Sequence, residues 1–200
     1  MPPVKASPAA TRLASARALR AYAHPTRLML VALLRRDGPQ TATQAAEAIG
    51  ESVASCSFHL RQLAKYGLVE VAEGGRGREK PWRVTAMFTQ WDPADPAAAG
   101  AAEALELAVA QQYFELVARW LRAQSGEPAE WREAARLGDV TLYLTAPELR
   151  ALGGGMLDLL RPYLDRLEDA AMRPPGSRPV TVLTLAFPNL LGGHDDLRTQ

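Results

Sequence analysis

The sequence contains one cysteine, three histidines and no long run of apolar residues. A single cysteine, Cys56, excludes an intrachain disulfide and makes a reducing, cytoplasmic location the expectation. No stretch approaches the roughly 18 consecutive apolar residues that a transmembrane helix requires. Because His24, His59 and His194 are scattered and share no metal-ligand spacing, the sequence predicts neither a metal site nor a cofactor.

Charge is divided unevenly along the chain, although the formal net charge is only +1. Residues 1–91 contain 13 Lys and Arg against 6 Asp and Glu, a formal +7, whereas residues 92–200 contain 10 against 16, a formal −6. A polyanion is therefore the expected partner of the first part alone. With 48% hydrophobic residues, 200 residues are enough for two compact lobes.

Helix start and stop signals divide the first fifty residues. A first helix is expected over residues 11–22. The next helix begins at His24-Pro25, where the missing proline N–H would be unpaired anyway, and stops at residues 37–39, Asp-Gly-Pro. Thr41 and Gln44 have capping-box spacing, with Thr43 as an alternative cap, and the short helix that follows is expected to end at Gly50.

Ser52 is the expected cap of another short helix, which ends near Gly67. The apolar spacing predicts an inner face of Val53, Cys56, Leu60 and Leu63. Two short helices joined by a Gly-containing turn predict a helix-turn-helix. The inner position of Cys56 favours a core residue over a redox switch, and His59 is interpreted as a structural histidine rather than a catalytic or ligand-binding one.

Two strand-like segments, residues 68–72 and 80–85, follow this helix. The GGRGR sequence between them supplies glycines for positive φ and two guanidinium groups. Pro81 cannot donate to a sheet, which favours an edge strand. The sequence therefore predicts a β-ribbon with an arginine-rich tip, of the kind called a wing.

The motifs resemble those of ArsR-type winged-helix repressors, in particular a group with a C-terminal extension. The resemblance rests on HPTR at 24–27, on SVASCSFHLRQLAKYGLV at 52–69 and on GGRGREKPWR at 74–83. It covers roughly residues 12–91 and implies a homodimer whose recognition helices enter successive major grooves of DNA. The metal-sensing members carry a cysteine pair where this chain has TATQAAEAIG, which offers only Glu47. A small-molecule effector, a protein effector or none is expected instead.

DNA contacts are predicted for the outward side chains of the recognition helix and for the wing. The helix residues are Ser52, Ala54, Ser55, Ser57, Phe58 and Arg61, and the wing residues are Arg76, Arg78 and Lys80. Arg61 suits a guanine edge or a phosphate, and Ala54 and Phe58 suit thymine methyl groups. Packing of Phe58 on a neighbouring helix is the alternative. The wing cations suit phosphates or the minor groove, whereas Arg27, Arg35 and Arg36 are interpreted as a solvated helix face.

The second half begins after a proline-rich hinge at residues 92–96. A long helix is predicted over residues 97–124, with Leu105, Val109, Phe114, Val117 and Leu121 near one side. A helix that is hydrophobic over so wide an arc needs two partners, its own domain and the same helix of another subunit. This predicts a homodimer and a near-palindromic operator.

The remaining sequence predicts a β-α-β unit: a strand at 139–145, a helix at 146–170 and a second strand at 179–187, with a sheet that the dimer could complete. The fold class is therefore α+β, with a DNA-binding domain at 1–91 and a dimerisation and effector domain at 92–200. Residues 153–155, all glycine, suggest a kink, a close helix crossing or a ligand approach. An apolar effector pocket is predicted at Tyr113, Trp120, Trp131, Tyr143 and Met156, with an ordinary aromatic core as the alternative.

The leading hypothesis is a sequence-specific DNA-binding transcriptional regulator, expected to be a repressor. The alternative is a protein-interaction module that retains the winged fold without reading DNA. An enzyme is not expected, because residues 92–200 contain no cysteine, one histidine and no Gly-rich phosphate loop after a strand.

Overall fold

The computed structural model describes residues 10–13, 15–73, 80–86, 88–91 and 96–189. The chain divides into two compact units, residues 1–121 and residues 122–200. Within the described residues, no helix combines the length and the apolar character needed to cross a membrane.

The first unit contains the predicted helix-turn-helix and wing. Its elements in chain order are β1 (Ala10–Arg12), α1 (Ala16–Tyr22), α2 (Pro25–Asp37), α3 (Ala42–Ile49), α4 (Val53–Lys65), β2 (Val69–Val71), β3 (Trp82–Val84), β4 (Phe88–Gln90) and nearly all of α5 (Ala99–Ala123). The described residues therefore confirm α2, α3 and α4 close to the bounds that their capping signals predict.

The caps form as the sequence indicates. Pro25 is the first residue of α2, and Gly38, with φ of 78°, follows its last turn. At α3, the Thr41 N–H donates to Gln44 Oε1 at 2.9 Å and the Gln44 N–H donates to Thr41 Oγ1 at 3.2 Å, a complete capping box. These bonds satisfy N–H groups that a helix start otherwise leaves unpaired, and they favour one residue as the start of the helix.

The start of the chain departs from its prediction. Residues 11 and 12 belong to β1, which pairs in parallel with β4 through Thr11 and Thr89, and not to a helix. The helix begins only after Ser15, whose Oγ accepts from the Ala18 N–H at 3.2 Å. The pairing partner lies far along the sequence, so a local pattern could not reveal it.

The wing ribbon is antiparallel, with Val69 opposite Val84 and Val71 opposite Trp82. On its other edge, Trp82 exchanges backbone hydrogen bonds with Gln40, at 2.8 and 3.0 Å. The ribbon is thereby tied to the turn between α2 and α3. Its tip, residues 74–79, lies outside the described residues.

Helix α5 begins inside the core of the first unit. Ala98, Ala101, Ala102 and Leu105 are buried against the helix-turn-helix. Trp91 adds a hydrogen bond from its Nε1 to Glu106 Oε1 at 3.2 Å. The helix predicted for dimerisation therefore also forms part of the first unit, whose compact contacts continue past the 91/92 boundary expected from the sequence.

The second unit is helical in its described part. It contains a 3-10 turn (Gln124–Gly126), α6 (Ala129–Ala134), α7 (Ala146–Glu168) and another 3-10 turn (Ala170–Met172). The predicted capping box forms at the start of α7, where Thr145 and Glu148 satisfy each other's N–H groups. Arg178 donates to both carboxylate oxygens of Glu127, at 2.7 and 3.2 Å, with its guanidinium 4.9 Å from the centre of the Trp131 ring.

The two strands predicted in this unit are absent. Residues 139–145 and 179–187 are described as neither strand nor helix, and no backbone hydrogen bond joins them. A strand needs a neighbour for its N–H and C=O groups. The alternation of apolar residues predicts which side chains share a face, but it does not supply that neighbour, so the β-α-β unit is not confirmed within the single chain.

The glycines at 153–155 do not interrupt helix α7. They lie in the continuous helix α7, and a Cβ atom built on any of them meets no described atom within 4 Å. A close helix crossing therefore does not account for them within the described residues.

Replacement of Gly154 by Ala should stabilise α7 by about 1 kcal/mol, because alanine loses less backbone freedom and the space beside it is open. Thermal unfolding followed by circular dichroism measures this. Gly176→Ala is the matched control, since φ of 77° disfavours alanine there and stability should fall. A loss of stability for Gly154→Ala would show that another group occupies the open space.

Candidate nucleic-acid interface

The turn between α3 and α4 sets the direction of the candidate recognition helix. Gly50 adopts the left-handed conformation, with φ of 73°, that L side chains rarely adopt. The N–H groups of Gly50 and Glu51 both donate to Ala46 O, at 3.0 and 3.1 Å. Ala45 and Ala46 are buried, so α3 approaches α4 closely.

One face of α4 is buried and the opposite face is exposed. The buried residues are Cys56, His59, Leu60 and Leu63, and the exposed ones are Val53, Ala54, Phe58, Arg61 and Lys65. This division confirms the inner stripe except at Val53, which is 47% exposed. Val53 is the first residue of the helix, and helical side chains lean towards the N-terminus, which carries this one beyond the core. The apolar spacing of the sequence places Val53 on the inner face and so does not predict its exposure.

Two serines on this helix make intramolecular hydrogen bonds. Ser52 Oγ accepts from the Ser55 N–H at 3.1 Å and so acts as the N-cap. Ser57 Oγ accepts from Arg61 NH1 at 2.7 Å, one helical turn away. The second bond holds the Arg61 guanidinium along the exposed face instead of leaving the side chain to sample all its rotamers. Ser55 is half-buried beside this face.

Phe58 lies at the edge of the exposed face. It is 49% exposed, and its ring meets the His59 ring edge-on with centroids 5.2 Å apart. Phe58 therefore packs on a ring of its own helix and presents about half of its surface to solvent, so this contact is not the predicted packing on a neighbouring helix.

On the wing, Lys80 is exposed just before β3. Arg83 is exposed as well, but it forms an ion pair with Glu70 across the ribbon at 2.7 Å. The predicted contacts Arg76 and Arg78 lie outside the described residues. Lys80 is thus the exposed wing cation that forms no ion pair with any residue described in the structure.

Two histidines connect α2 to α4. His24 is the N-cap of α2, where its Nδ1 accepts from the Thr26 N–H at 3.2 Å, and its ring lies 4.5 Å from that of the buried His59. Burial lowers the pKa of both rings, and the positive charge of Arg27 lowers each further, whereas Glu51 acts in the opposite direction. Both are therefore neutral near pH 7, and His59 has the structural position that the sequence suggested.

Cys56 is completely buried in α4. Burial, with a smaller contribution from the charge of Glu51, raises the pKa of its thiol. The thiolate that peroxide attacks is thereby disfavoured. Position and pKa direction both favour the core role over the redox switch.

The arginines of α2 are less solvated than expected. Arg35 donates from NH2 to Thr89 Oγ1 at 2.7 Å, which ties α2 to β4. The Nε atoms of Arg27 and Arg35 are buried, and Arg36 pairs with Asp37 at 2.6 Å. Their long side chains cover apolar surface, so the interpretation as a simple solvated face is wrong for Arg27 and Arg35.

The residues of the predicted effector pocket fall in both units. Tyr113 and Trp120 are half-buried on α5 in the first unit. In the second unit, Trp131 stacks with Arg178, Met156 is 39% exposed and Tyr143 is fully exposed. The effector pocket stays a prediction. Among the described residues, no three His, Cys, Asp or Glu side chains converge as metal ligands would.

Residues 22–72 match a protein-family model described as a helix-turn-helix domain. This segment runs from the end of α1 to the end of the first wing strand. The first unit contains a helix-turn-helix domain. The match and the observed wing confirm that part of the fold prediction.

Comparison with solved structures gives two similar chains. One is the homodimeric winged helix-turn-helix DNA-binding domain of a Mycobacterium bovis protein, named as a possible ArsR-family transcriptional regulator. The two sequences are 24% identical, the match covers 55% of this chain and 82% of the other chain, and the TM-score is 0.31. The other is a transcriptional regulator that is 20% identical to this chain. The match covers 74% of this chain and 86% of the regulator, and the TM-score is 0.27. These TM-scores are too low to carry a structural argument. No curated protein sequence matches the chain.

Acidification should destabilise the first unit. The folded-state pKa values of His24 and His59 lie below their usual 6.5, so the unfolded chain binds more protons as pH falls below about 6.5. The stabilisation is complete above that pH and is lost as pH falls towards the folded-state values. Urea unfolding between about pH 7.5 and pH 5.5 measures the loss.

His24→Asn is the matched variant, because asparagine caps a helix equally well but does not titrate. Its stability should change less over the same pH interval than that of the original chain. Equal pH dependence in both proteins would exclude His24 as a source of the effect.

Proposed function

We propose that this protein is a DNA-binding transcriptional regulator of the ArsR type, without a metal-sensing site, that acts in the cytoplasm as a homodimeric repressor. The observation that carries the proposal is the exposed face of α4. It belongs to a helix-turn-helix, stands beside a wing, and lies in the half of the chain with excess positive charge. Such a helix fits the major groove of DNA.

Arg61 is the principal base-reading residue in this proposal. An arginine can donate two hydrogen bonds to the O6 and N7 atoms of guanine. The hydrogen bond from Arg61 to Ser57 supports this role, since it restricts the guanidinium before DNA is bound. Ala54, Phe58 and the newly exposed Val53 provide apolar surface for thymine methyl groups.

The remaining predicted residues supply affinity and position. Ser52 orders the first turn of α4 as its cap, and the half-buried Ser55 would reach a phosphate from the edge of the face. Lys80, with Arg76 and Arg78 at the wing tip, would contact phosphates or the minor groove. These contacts hold the helix in register and carry little sequence information.

The homodimer is proposed to form through α5. Leu107, Phe114 and Leu121 recur at seven-residue intervals and are 65%, 71% and 45% exposed. Ala110 and Val117 lie three residues after the first two, which gives the spacing of a coiled-coil seam. The core-facing Leu105 lies on the other side of the same helix, so one face serves the domain and the opposite face is available for a second copy.

Two copies joined in this way would present two recognition helices to the same face of DNA. Their half-sites would be separated by about one helical turn, roughly 34 Å. A near-palindromic operator follows from the two-fold symmetry. Any small-molecule effector would act by changing the separation of the helices, with Tyr113, Trp120, Trp131, Tyr143 and Met156 as the proposed pocket residues.

One observation favours a second candidate function, a protein-interaction module. Val53 and Phe58 leave nearly half of their side-chain surface exposed on α4, and exposed apolar side chains also suit a protein partner. A protein partner would depend on these two residues and tolerate the loss of Arg61. DNA binding would depend on Arg61 and on salt concentration.

Arg61→Ala should weaken binding to the operator by about tenfold or more, because it removes a bidentate base contact. A gel-shift titration against a fragment obtained by binding-site selection measures the affinity. Arg150→Ala is the control, since Arg150 is an exposed arginine of the acidic second half and should leave the affinity unchanged. Binding that is insensitive to salt, or equal affinity of the Arg61 variant, would contradict DNA readout.

Phe114→Glu should raise the dissociation constant of the homodimer at least about tenfold, because it places two carboxylates in an apolar seam. Sedimentation at several concentrations measures it. Arg119→Glu introduces the same carboxylate at an exposed position outside the seam and should have a smaller effect. Equal dissociation constants for the two variants would remove α5 as the dimer interface.

A further inference from the structure

The part of the chain that the structure describes after Leu105 forms no hydrophobic core of its own. In the described part of the chain after Leu105, no hydrophobic side chain is buried. Between Leu137 and Phe187, sixteen large hydrophobic side chains are exposed. Ordering each residue costs on the order of 1 to 2 kcal/mol of conformational entropy, which apolar burial must offset. This segment therefore requires a cover that the single chain does not provide.

The exposed side chains are arranged as matching surfaces. On α7, one face carries Leu152, Met156, Leu159, Tyr163 and Leu167, all between 38% and 75% exposed. Their spacing of three and four residues places them in a single stripe. Segment 139–145 carries Val140, Leu142 and Leu144 at alternate positions, the pattern of a strand with one apolar face. In 179–187 the alternation changes phase after Val182, so apolar side chains would lie on both faces of a strand there. A helix with one apolar stripe and strands with one apolar face form a standard two-layer core.

Residues 139–145 and 179–187 both begin near α6 in the second unit. Residues 139–145 connect α6 to the start of α7. Residues 179–187 follow Arg178, which is held beside α6 by Glu127 and Trp131. Both are thus tethered near α6, yet neither pairs with the other. Their backbone N–H and C=O groups are open to strands from outside the chain.

The size and charge of this surface limit what can cover it. A small ligand fills a pocket and cannot cover sixteen large side chains spread over a helix and two segments, whereas a protein interface engages some 20 to 30 residues on each side. Nucleic acid is disfavoured because residues 92–200 carry a formal charge of −6. The cover is therefore another protein surface.

A second copy of the same chain fits this requirement. The seam proposed on α5 leads directly into the second unit, since α5 ends at Ala123 and the next turn begins at Gln124. Dimerisation along α5 would raise the effective concentration of one second unit for the other, because each is covalently joined to the seam. Each copy has unpaired segments that could cover the other's helix stripe and a helix stripe that the other's segments could cover, which is the self-complementarity of a two-fold interface.

We propose that residues 137–187 fold against the same residues of a second copy. In this dimer, 139–145 and 179–187 become strands of a sheet shared between the copies, and the sheet covers the apolar stripe of α7. The proposal rests on the homodimer of the proposed function but not on DNA binding. Folding of the second half is thereby coupled to dimerisation.

Hydrogen exchange of the full chain, measured above and below the dissociation constant of the dimer, tests this coupling. Amides of 139–145 and 179–187 should be protected in the dimer and should exchange at least about tenfold faster in the monomer. Amides of α2, buried in the first unit, should change little on dilution and act as an internal reference. Gel-shift titration of the same samples reports DNA binding separately.

A pair of variants keeps the test specific to the α7 stripe. Leu159→Gln places an amide on the stripe and should reduce protection of both segments in the dimer. Arg150→Gln introduces the same side chain at an exposed position off the stripe and should leave protection unchanged. Equal protection in the two variants would overturn the packing of the stripe against the strands.

The other outcomes are also decisive. Protection of both segments in the monomer would show that the core closes within one chain, which overturns the proposal even if the α5 dimer and DNA binding stand. A dimer whose segments exchange as fast as unstructured chain would assign the surface to a different partner and overturn it as well. Absence of a dimer at every concentration would overturn both this proposal and the α5 interface.

Discussion

The candidate nucleic-acid interface depends on the burial of the inner face of α4. Leu60, Leu63, Cys56 and His59 are enclosed by the first unit, and this burial fixes the rotation of the helix about its axis. Once the rotation is fixed, the opposite face must carry Ala54, Phe58 and Arg61. The surface proposed to contact DNA is therefore a consequence of core packing, because a helix cannot turn one face inwards without turning the other outwards.

The packing of α4 also depends on the protonation state of two histidines, His24 and His59. His24 caps α2 through an unprotonated Nδ1, and its ring lies against His59 on the recognition helix. Both rings share the field of Arg27, which disfavours a further positive charge. The orientation of α4 is thus stabilised by neutral imidazoles, and packing and protonation are linked at one point of the fold.

In the proposed dimer, helix α5 has two roles that use opposite faces. Its first turns complete the core of the helix-turn-helix domain through Ala101, Ala102 and Leu105. Its later turns expose Leu107 and Phe114. A rigid helix rooted in one domain and joined to a second copy would transmit any change at the interface to the recognition helices. This is a physical basis for regulation at a distance from DNA, because the helix moves as one body.

The sequence by itself determined the local elements of the first unit. Capping residues such as Thr41, Ser52 and Gly50 act through bonds to near neighbours, so the bounds of α2, α3 and α4 could be predicted. Most of the exposed face of α4 followed from helical spacing. Tertiary structure alone decided the pairing of β1 with β4 and the exposure of Val53. It also decided the burial of the Nε atoms of Arg27 and Arg35, and the unpaired state of 139–145 and 179–187. These features depend on partners distant in sequence, or on a partner outside the chain, and local periodicity carries no information about such partners.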